Sequence, residues 1–285
     1  MKRLKRRKPN RSRGGDVGIY LILILFGAFF AYPLIFAINN AFKPLDEIFL
    51  FPPKLFVQKP TLDNFQDLFV IMGKSWVPFS RYIFNTVFIT AAGTIGHLII
   101  ASMGAFVLAK YKFPGSKLFF QLVILALMFS TYVTAIPNYL IMTKLHWVDT
   151  YLAVIIPAFA SPMGLFLMKQ FMEGIPDSLI EAAKIDGAKE GAVFMRVVMP
   201  MVKPAWLTLI IFSIQNLWNN KASNFIYSEE LKTLPYALQQ IINGGVARAG
   251  VGAAVSLFMM IVPVGIFIFA QSNIIETMAT SGIKD

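Results

Sequence analysis

Apolar residues along this chain come in long uncharged runs separated by short polar stretches. Val17 to Ile38 is 22 residues without Asp, Glu, Lys or Arg, enough for a helix to cross about 30 Å of hydrocarbon. Further charge-free runs fall at 82–108, 118–142, 151–168, 204–218 and 253–272. The pattern predicts an all-α membrane protein with about six transmembrane helices. Prolines 33, 137, 157, 162 and 263 lie inside these runs. They predict kinks, with Pro157 and Pro162 breaking the fourth run, and free carbonyls tolerable only where protein or a cavity covers them. A polar-lined, moving pathway is the economical reading.

The polar stretch between the fourth and fifth runs is different in kind. From Lys169 to Lys203 it holds five acidic and five basic residues. Ser178-Leu179-Ile180-Glu181 reads as a capping box that starts a helix. Gly187 can take a left-handed conformation and end it. A second helical run, Ala188 to Val198, is closed by Pro200 and Pro204. Residues 176–203 therefore predict helix, sharp turn, helix outside the bilayer, which suits a docking element. The plainer reading of the same residues is a capped interfacial helix.

Composition agrees with the membrane reading: 56% hydrophobic and 14% charged residues, with a mean hydropathy of +0.64. The net charge of +11 sits mainly in a leader, residues 1–16, with eight Lys/Arg against one Asp. The remaining 18 basic and 14 acidic residues give the body +4. A basic run directly before a span reads as an anchor to anionic lipid rather than a nucleic-acid site. The first span is too long for an ordinary signal segment and no A-x-A-like site ends it, so it is expected to be retained. Basic residues number eight in the leader, three in 110–117 and five in 169–203, against five, one and three in the other loops. That bias places both termini and the 176–203 loop in the cytoplasm, and the loops 39–81 and 219–252 outside. The absence of cysteine excludes disulfides, thiolate catalysis and Cys-bound zinc.

The spans also exclude chemistry. His97 is the one ionisable residue within them, whereas ion-coupled transporters generally need an intramembrane acid or proton relay. For His97 itself, a hydrogen bond to a neighbouring helix is the favoured reading. Ala92/Gly96 and Ala101/Ala105 are small-xxx-small pairs that predict close helix contact. Gly73-Lys74-Ser75 echoes the end of a phosphate-binding loop, but Leu68 stands where glycine is required. With two histidines, no triad, metal cluster or paired-carboxylate site can be built, so no catalysis, metal or cofactor is expected in this chain. Amide hydrogen-bonders and aromatic platforms near the depth of such a pathway are the candidates for cargo contact: Asn85, Gln215, Asn216 and Trp218.

Glu181-Ala182-Ala183, three residues, Gly187, nine residues, then Val197-Val198-Met199-Pro200 resembles the EAA motif of bacterial binding-protein-dependent ABC importers. Val197 and Met199 depart from the more usual Ile and Leu but stay apolar. Other stretches resemble the maltose-type, six-span sugar-importer branch. They are Phe42-Lys43-Pro44 with Glu47-Ile48-Phe49, Pro60 to Phe65, Asn85-Thr86, Lys112 to Gly115, Trp147 to Tyr151, Phe171 to Pro176, Thr233-Leu234-Pro235 and Ser281 to Lys284. Asn220 departs, standing where that branch commonly has an acid. The resemblance implies a permease subunit of a carbohydrate importer in a bacterial cytoplasmic membrane. Its expected partners are a homologous second permease, two cytosolic ATP-binding subunits carrying ATP and Mg, and an extracytoplasmic sugar-binding protein. It implies an ATPase-coupling role for Glu181, Ala182, Ala183, Asp186, Gly187 and Pro200. It also implies ATPase contact for a tail of Gly282, Ile283 and Lys284, and contact of roughly 219–250 with the binding protein. The alternatives are the same architecture with a non-sugar cargo, an ion-coupled secondary transporter, or a membrane enzyme.

Overall fold

The computed structural model describes residues 13–281 except residue 75; the leader residues 1–12 and the tail Gly282, Ile283 and Lys284 lie outside the described residues. Those described are helical or irregular, with no strand among them. The long helices are α1 (Arg13–Ala41), α2 (Asp63–Gly73), α3 (Phe79–Lys110), α4 (Ser116–Met128), α5 (Thr131–Lys144), α6 (Leu152–Phe159) and α7 (Pro162–Glu173). They continue with α8 (Asp177–Ile185), α9 (Glu190–Met201), α10 (Lys203–Trp218), α11 (Leu234–Ile242) and α12 (Ala249–Ser281). Among the described residues four helices are long and apolar enough to cross a membrane, or up to six spans if each bent pair counts as one.

The chain forms two compact units, the first being Met1–Phe69 with Gly244–Leu257. Here α1 exposes apolar side chains all round, as lipid solvation allows. The segment after it is tied by buried polar groups. Lys43, 1% exposed, donates to Asn40 Oδ1 and the Lys54 carbonyl. Glu47 accepts the backbone N–H groups of Gln58 and Lys59 at 2.8 and 3.2 Å. Asn64 donates to the Ala41 and Lys43 carbonyls at 3.0 and 2.7 Å. Each buried polar group is thereby paired, as burial demands.

The second unit, Val70–Asn243 with Phe258–Asp285, is organised on α3, which packs against α6, α7 and α10. Its small residues permit that approach. A Cβ on Gly96 would come within 2.0 Å of the Phe159 ring, and Ala101 and Ala105 are buried in the core. That core joins Ala105 and Phe106 of α3 to Met168 and Met172 of α7, Ile180 of α8, Val193 and Val198 of α9, and Leu209 of α10. Towards the end of α7, Lys169 pairs with Glu173 and lies 3.8 Å from the Phe120 ring, fastening α4 to α7.

Several sequence expectations are corrected. The run 118–142 is not one helix: α4 and α5 meet at 111°. Phe129 is extended (φ −80°, ψ 130°), and Ser130 then starts a new turn by accepting the Val133 N–H at 3.0 Å. Pro157 does not break the fourth span but sits inside α6. The break falls at Ala160-Ser161, because the residue before a proline is pushed from helical to extended backbone, and Ser161 has ψ 118°. Pro162 then occupies the first helical turn, where its missing N–H costs nothing.

Gly96→Val would overpack the α3–α6 contact at a cost of about 1–3 kcal/mol. Gly265→Ala in α12, with nothing within 4 Å of the new Cβ, should be neutral. Thermal unfolding of the detergent-purified chain should show a lowered midpoint for the first variant and an unchanged one for the second.

Candidate functional site

The segment between the fourth and fifth spans folds as the helix pair α8 and α9. The capping box does not form. Pro176 is the N-cap, with ψ 131° and no side-chain cap bond, so Ser178 lies inside the first turn and cannot reach back. Asp177 takes the favourable acidic place at the N-terminus, and its carboxylate meets Lys110 Nζ at 2.7 Å. Ile180 is buried while Leu179, Glu181, Ala182, Ile185 and Asp186 are exposed. Ile185, at 86%, is a large apolar side chain left uncovered on a charged surface.

Gly187 ends α8 with φ 83°. Its N–H bonds the Lys184 carbonyl and the Ala188 N–H bonds the Ala183 carbonyl, each at 3.0 Å. That is a Schellman motif, which a residue with a Cβ closes only under strain.

The second helix starts at Glu190 with Lys189 as its N-cap, not at Ala188. It also runs through Pro200 to Met201 instead of ending there. The turn Phe194–Val198 is widened to π geometry, which moves the carbonyls that the proline ring would otherwise strike. The chain then turns 82° at Val202 into α10, and the Met199 carbonyl receives the indole N–H of Trp206 at 3.1 Å.

Around this pair the charges are matched. Lys184 Nζ lies 2.7 Å from Glu190, and Tyr111 donates its phenolic hydrogen to the same carboxylate. Lys184 and then Tyr111 hold the Glu190 carboxyl below its ordinary range, and Lys110 does the same for Asp177. Both acids are therefore charged at neutral pH.

A cavity of about 440 Å³ opens between α3, α6 and α10. Gln215 and Asn216 line it, with His97, Ser161, Ser213, Asn220, Phe212 and Phe225. Phe212, Gln215 and Asn216 share a helix face at i, i+3, i+4 spacing. His97 Nδ1 meets Ser213 Oγ at 2.7 Å, the neighbouring-helix bond that the sequence favoured. No Lys, Arg, Asp or Glu is in the lining. Among the described residues no three His, Cys, Asp or Glu gather where a metal could sit.

Asn85 and Trp218 are placed elsewhere. Asn85 is fully buried; it donates to the Glu230 and Lys232 carbonyls and accepts from Tyr151 OH, at 2.8, 2.8 and 2.7 Å. Trp218 is 5% exposed and donates to the Met259 carbonyl. The partners of Asn85 belong to a wider knot. Thr86 Oγ1 accepts the Leu234 N–H at 2.8 Å, and Tyr82 OH donates to Glu229 at 2.8 Å. Asp149, in left-handed backbone at φ 63°, accepts the N–H groups of Tyr227 and Ser228. Sequence reasoning missed this function. Its signal was a run of polar side chains at the start of α3, spaced so that Tyr82, Asn85 and Thr86 share one face.

A charge-poor helical bundle with a polar cavity and a matched, exposed helix pair defines a multi-pass membrane transport subunit. The chain belongs to the family of binding-protein-dependent transport system inner membrane components, which matches residues 96–278. It is 32% identical over 268 residues to the arabinooligosaccharides transport system permease protein AraQ of Halalkalibacterium halodurans, covering 91% of this chain and 93% of that one. It is 29% identical to the sn-glycerol-3-phosphate transport system permease protein UgpE of Yersinia enterocolitica, covering 73% and 74%. The fold is similar to a chain of a bacterial ABC transporter involved in import of the acidic polysaccharide alginate. That match has a TM-score of 0.75 and 23% identity over 93% of this chain and 99% of the other.

Asn85→Ala would leave two loop carbonyls and a phenol without partners, at about 1–3 kcal/mol for each group. It should lower the unfolding midpoint of the purified chain, whereas Asn216→Ala, at an exposed lining position, should leave it unchanged.

Proposed function

We propose that the chain is the permease subunit of an ATP-driven, binding-protein-dependent importer of oligosaccharides, forming half of the translocation pathway. The observation that carries this reading is the helix pair α8–α9. It exposes Glu181, Ala182, Ile185 and Asp186 around a glycine turn while its other face is built into the core of α3, α7 and α10. Such an element suits docking into a separate ATPase, with which Pro200 and the tail 282–284 would also be associated. The chain supplies no phosphate-cradling loop, so ATP and Mg belong to two cytosolic partner subunits. A second, homologous permease and an extracytoplasmic binding protein complete the assembly. ATP-driven closure of the ATPases would move the docking elements and rock the permeases between inward- and outward-facing states.

The cargo is argued from the cavity. Amide and hydroxyl groups beside two phenylalanines match the hydroxyls and apolar faces of a sugar. A phosphate ester, as in the UgpE name, would want a cation that this lining lacks. The arabinooligosaccharide relative supports the same choice.

The docking reading is tested at Gly187. A β-branched residue there is strained by about 1–2 kcal/mol and re-aims α9. In proteoliposomes holding the full transporter, Gly187→Val should insert normally yet lose the ATPase and ATP-dependent sugar uptake, while Gly191→Ala should transport. Normal uptake by Gly187→Val with its ATPase attached would overturn the docking role.

Topology is tested on intact cells. Single cysteines introduced at Ser12, Lys189 and Ser228 should react with an impermeant reagent at position 228 alone. Labelling at 189 but not at 228 would sink the orientation.

A further inference from the structure

The last residue of α3 and the C-cap that follows it reach both helices of the docking pair. Lys110, its side chain 5% exposed, donates to the Ile175 carbonyl and to Asp177 Oδ1, at the start of α8. Tyr111 donates to Glu190, at the start of α9. Lys184, at the end of α8, pairs with that same Glu190 and lies 5.2 Å from the Tyr111 ring. Beneath them Phe106 contacts Tyr111 at 5.5 Å and Phe194 at 5.4 Å between ring centroids.

The geometry is that of a locked hinge. Two helices joined at a left-handed glycine have a natural pivot at Gly187. The Lys184–Glu190 pair spans that pivot, with three residues of α8 and turn on one side and three on the other. Tyr111 ties the spanning pair to α3, and Lys110 ties the far end of α8 to the same place. Contacts at three separated points fix the orientation of the pair as well as its position.

We infer that Lys110, Tyr111, Lys184 and Glu190 are positioning residues that make the helix pair and α3 a single lever, so that movement of the docked pair is delivered to the span. The inference rests on the docking reading above. Lys184 and Glu190 form an exposed pair, and exposed ion pairs contribute little to stability, so a purely stabilising role predicts small effects of changes at 184 and 190 in every assay. The lever predicts a loss that stability does not report: hydrolysis without transport.

The experiment uses the complete reconstituted transporter. It reads ATPase attachment by co-purification, and uptake of labelled oligosaccharide per ATP hydrolysed. Lys184→Glu and Glu190→Lys, each alone, should keep the ATPase attached yet lower uptake per ATP by about tenfold, the scale of an ordinary coupling free energy. The exchanged pair carrying both changes should restore it. Lys110→Met should behave like the single reversals and Lys110→Arg should be close to normal. Should Lys110→Met fail to insert, the exchange at 184 and 190 decides, since those side chains are 39% and 57% exposed. Normal uptake per ATP in the single variants overturns the lever, as does an exchanged pair no better than its parents. Loss of ATPase attachment in the single variants also overturns it, because they would then belong to the docking contact itself. Failure of the docking reading looks different: Gly187→Val would then keep its ATPase and transport, whatever the variants at 110, 184 and 190 do.

Discussion

A backbone group inside an apolar region must find a hydrogen-bond partner or forfeit about 2–7 kcal/mol, and this constraint shapes several irregularities among the described residues. Where α6 gives way to α7, the new helix starts at Pro162, whose absent N–H needs no partner. Where α9 turns into α10, a π turn accommodates Pro200 and the indole of Trp206 takes the Met199 carbonyl. Ser102 and Thr208 return their hydroxyls to carbonyls of their own helices. Asn85 supplies partners for two loop carbonyls at once. Several polar side chains within the bundle are thus committed to the backbone. Gln215 and Asn216 belong to the remainder, which is why a cavity lined by them stands out as chemistry rather than scaffolding.

The helix α3 collects these commitments at both ends. At its start Tyr82, Asn85 and Thr86 hold the 229–234 stretch, and at its end Lys110 and Tyr111 hold the helix pair. Between them 32 residues of continuous helix span about 48 Å at 1.5 Å per residue. Packing against α6, α7 and α10 leaves it little room to bend. On the lever reading, a displacement imposed at one end would be carried to the other as a rigid-body motion, with the cavity beside α3 lying along the way.

Legibility in the sequence follows the kind of force involved. Lipid exposure imposes uncharged runs, so the spans could be read directly, and the left-handed demand at Gly187 could be read from glycine beyond an apolar-periodic helix. Breaks set by subtler balances could not. Phe129-Ser130 contains neither glycine nor proline, yet it turns the chain, whereas Pro157 and Pro200 look like breakers and are absorbed. Ser178 offered a capping box, but with Pro176 as the N-cap the helix begins two residues too early for it. In the cavity, Gln215 and Asn216 were legible from chemistry and spacing. Asn85 and Trp218 share that chemistry, and one sequence does not distinguish an amide that serves the backbone from one that lines a cavity.

Charge placement carries the last step. With the spans free of acidic and basic side chains, the ion pairs gather where spans end: Lys110 with Asp177, Lys169 with Glu173, Lys184 with Glu190, and Lys232 with Glu229. Pairs whose carboxylates face water contribute little to stability, too little to hold a bundle whose core is already shared between α3 and the helix pair. Their value is directional. Apolar packing tolerates small rotations of one helix on another, while a carboxylate gripped by an ammonium and a phenol does not. The bundle thus takes its stability from contacts without orientation and its register from contacts without much energy. The second kind lies at the surface, where a docked partner can bear on it.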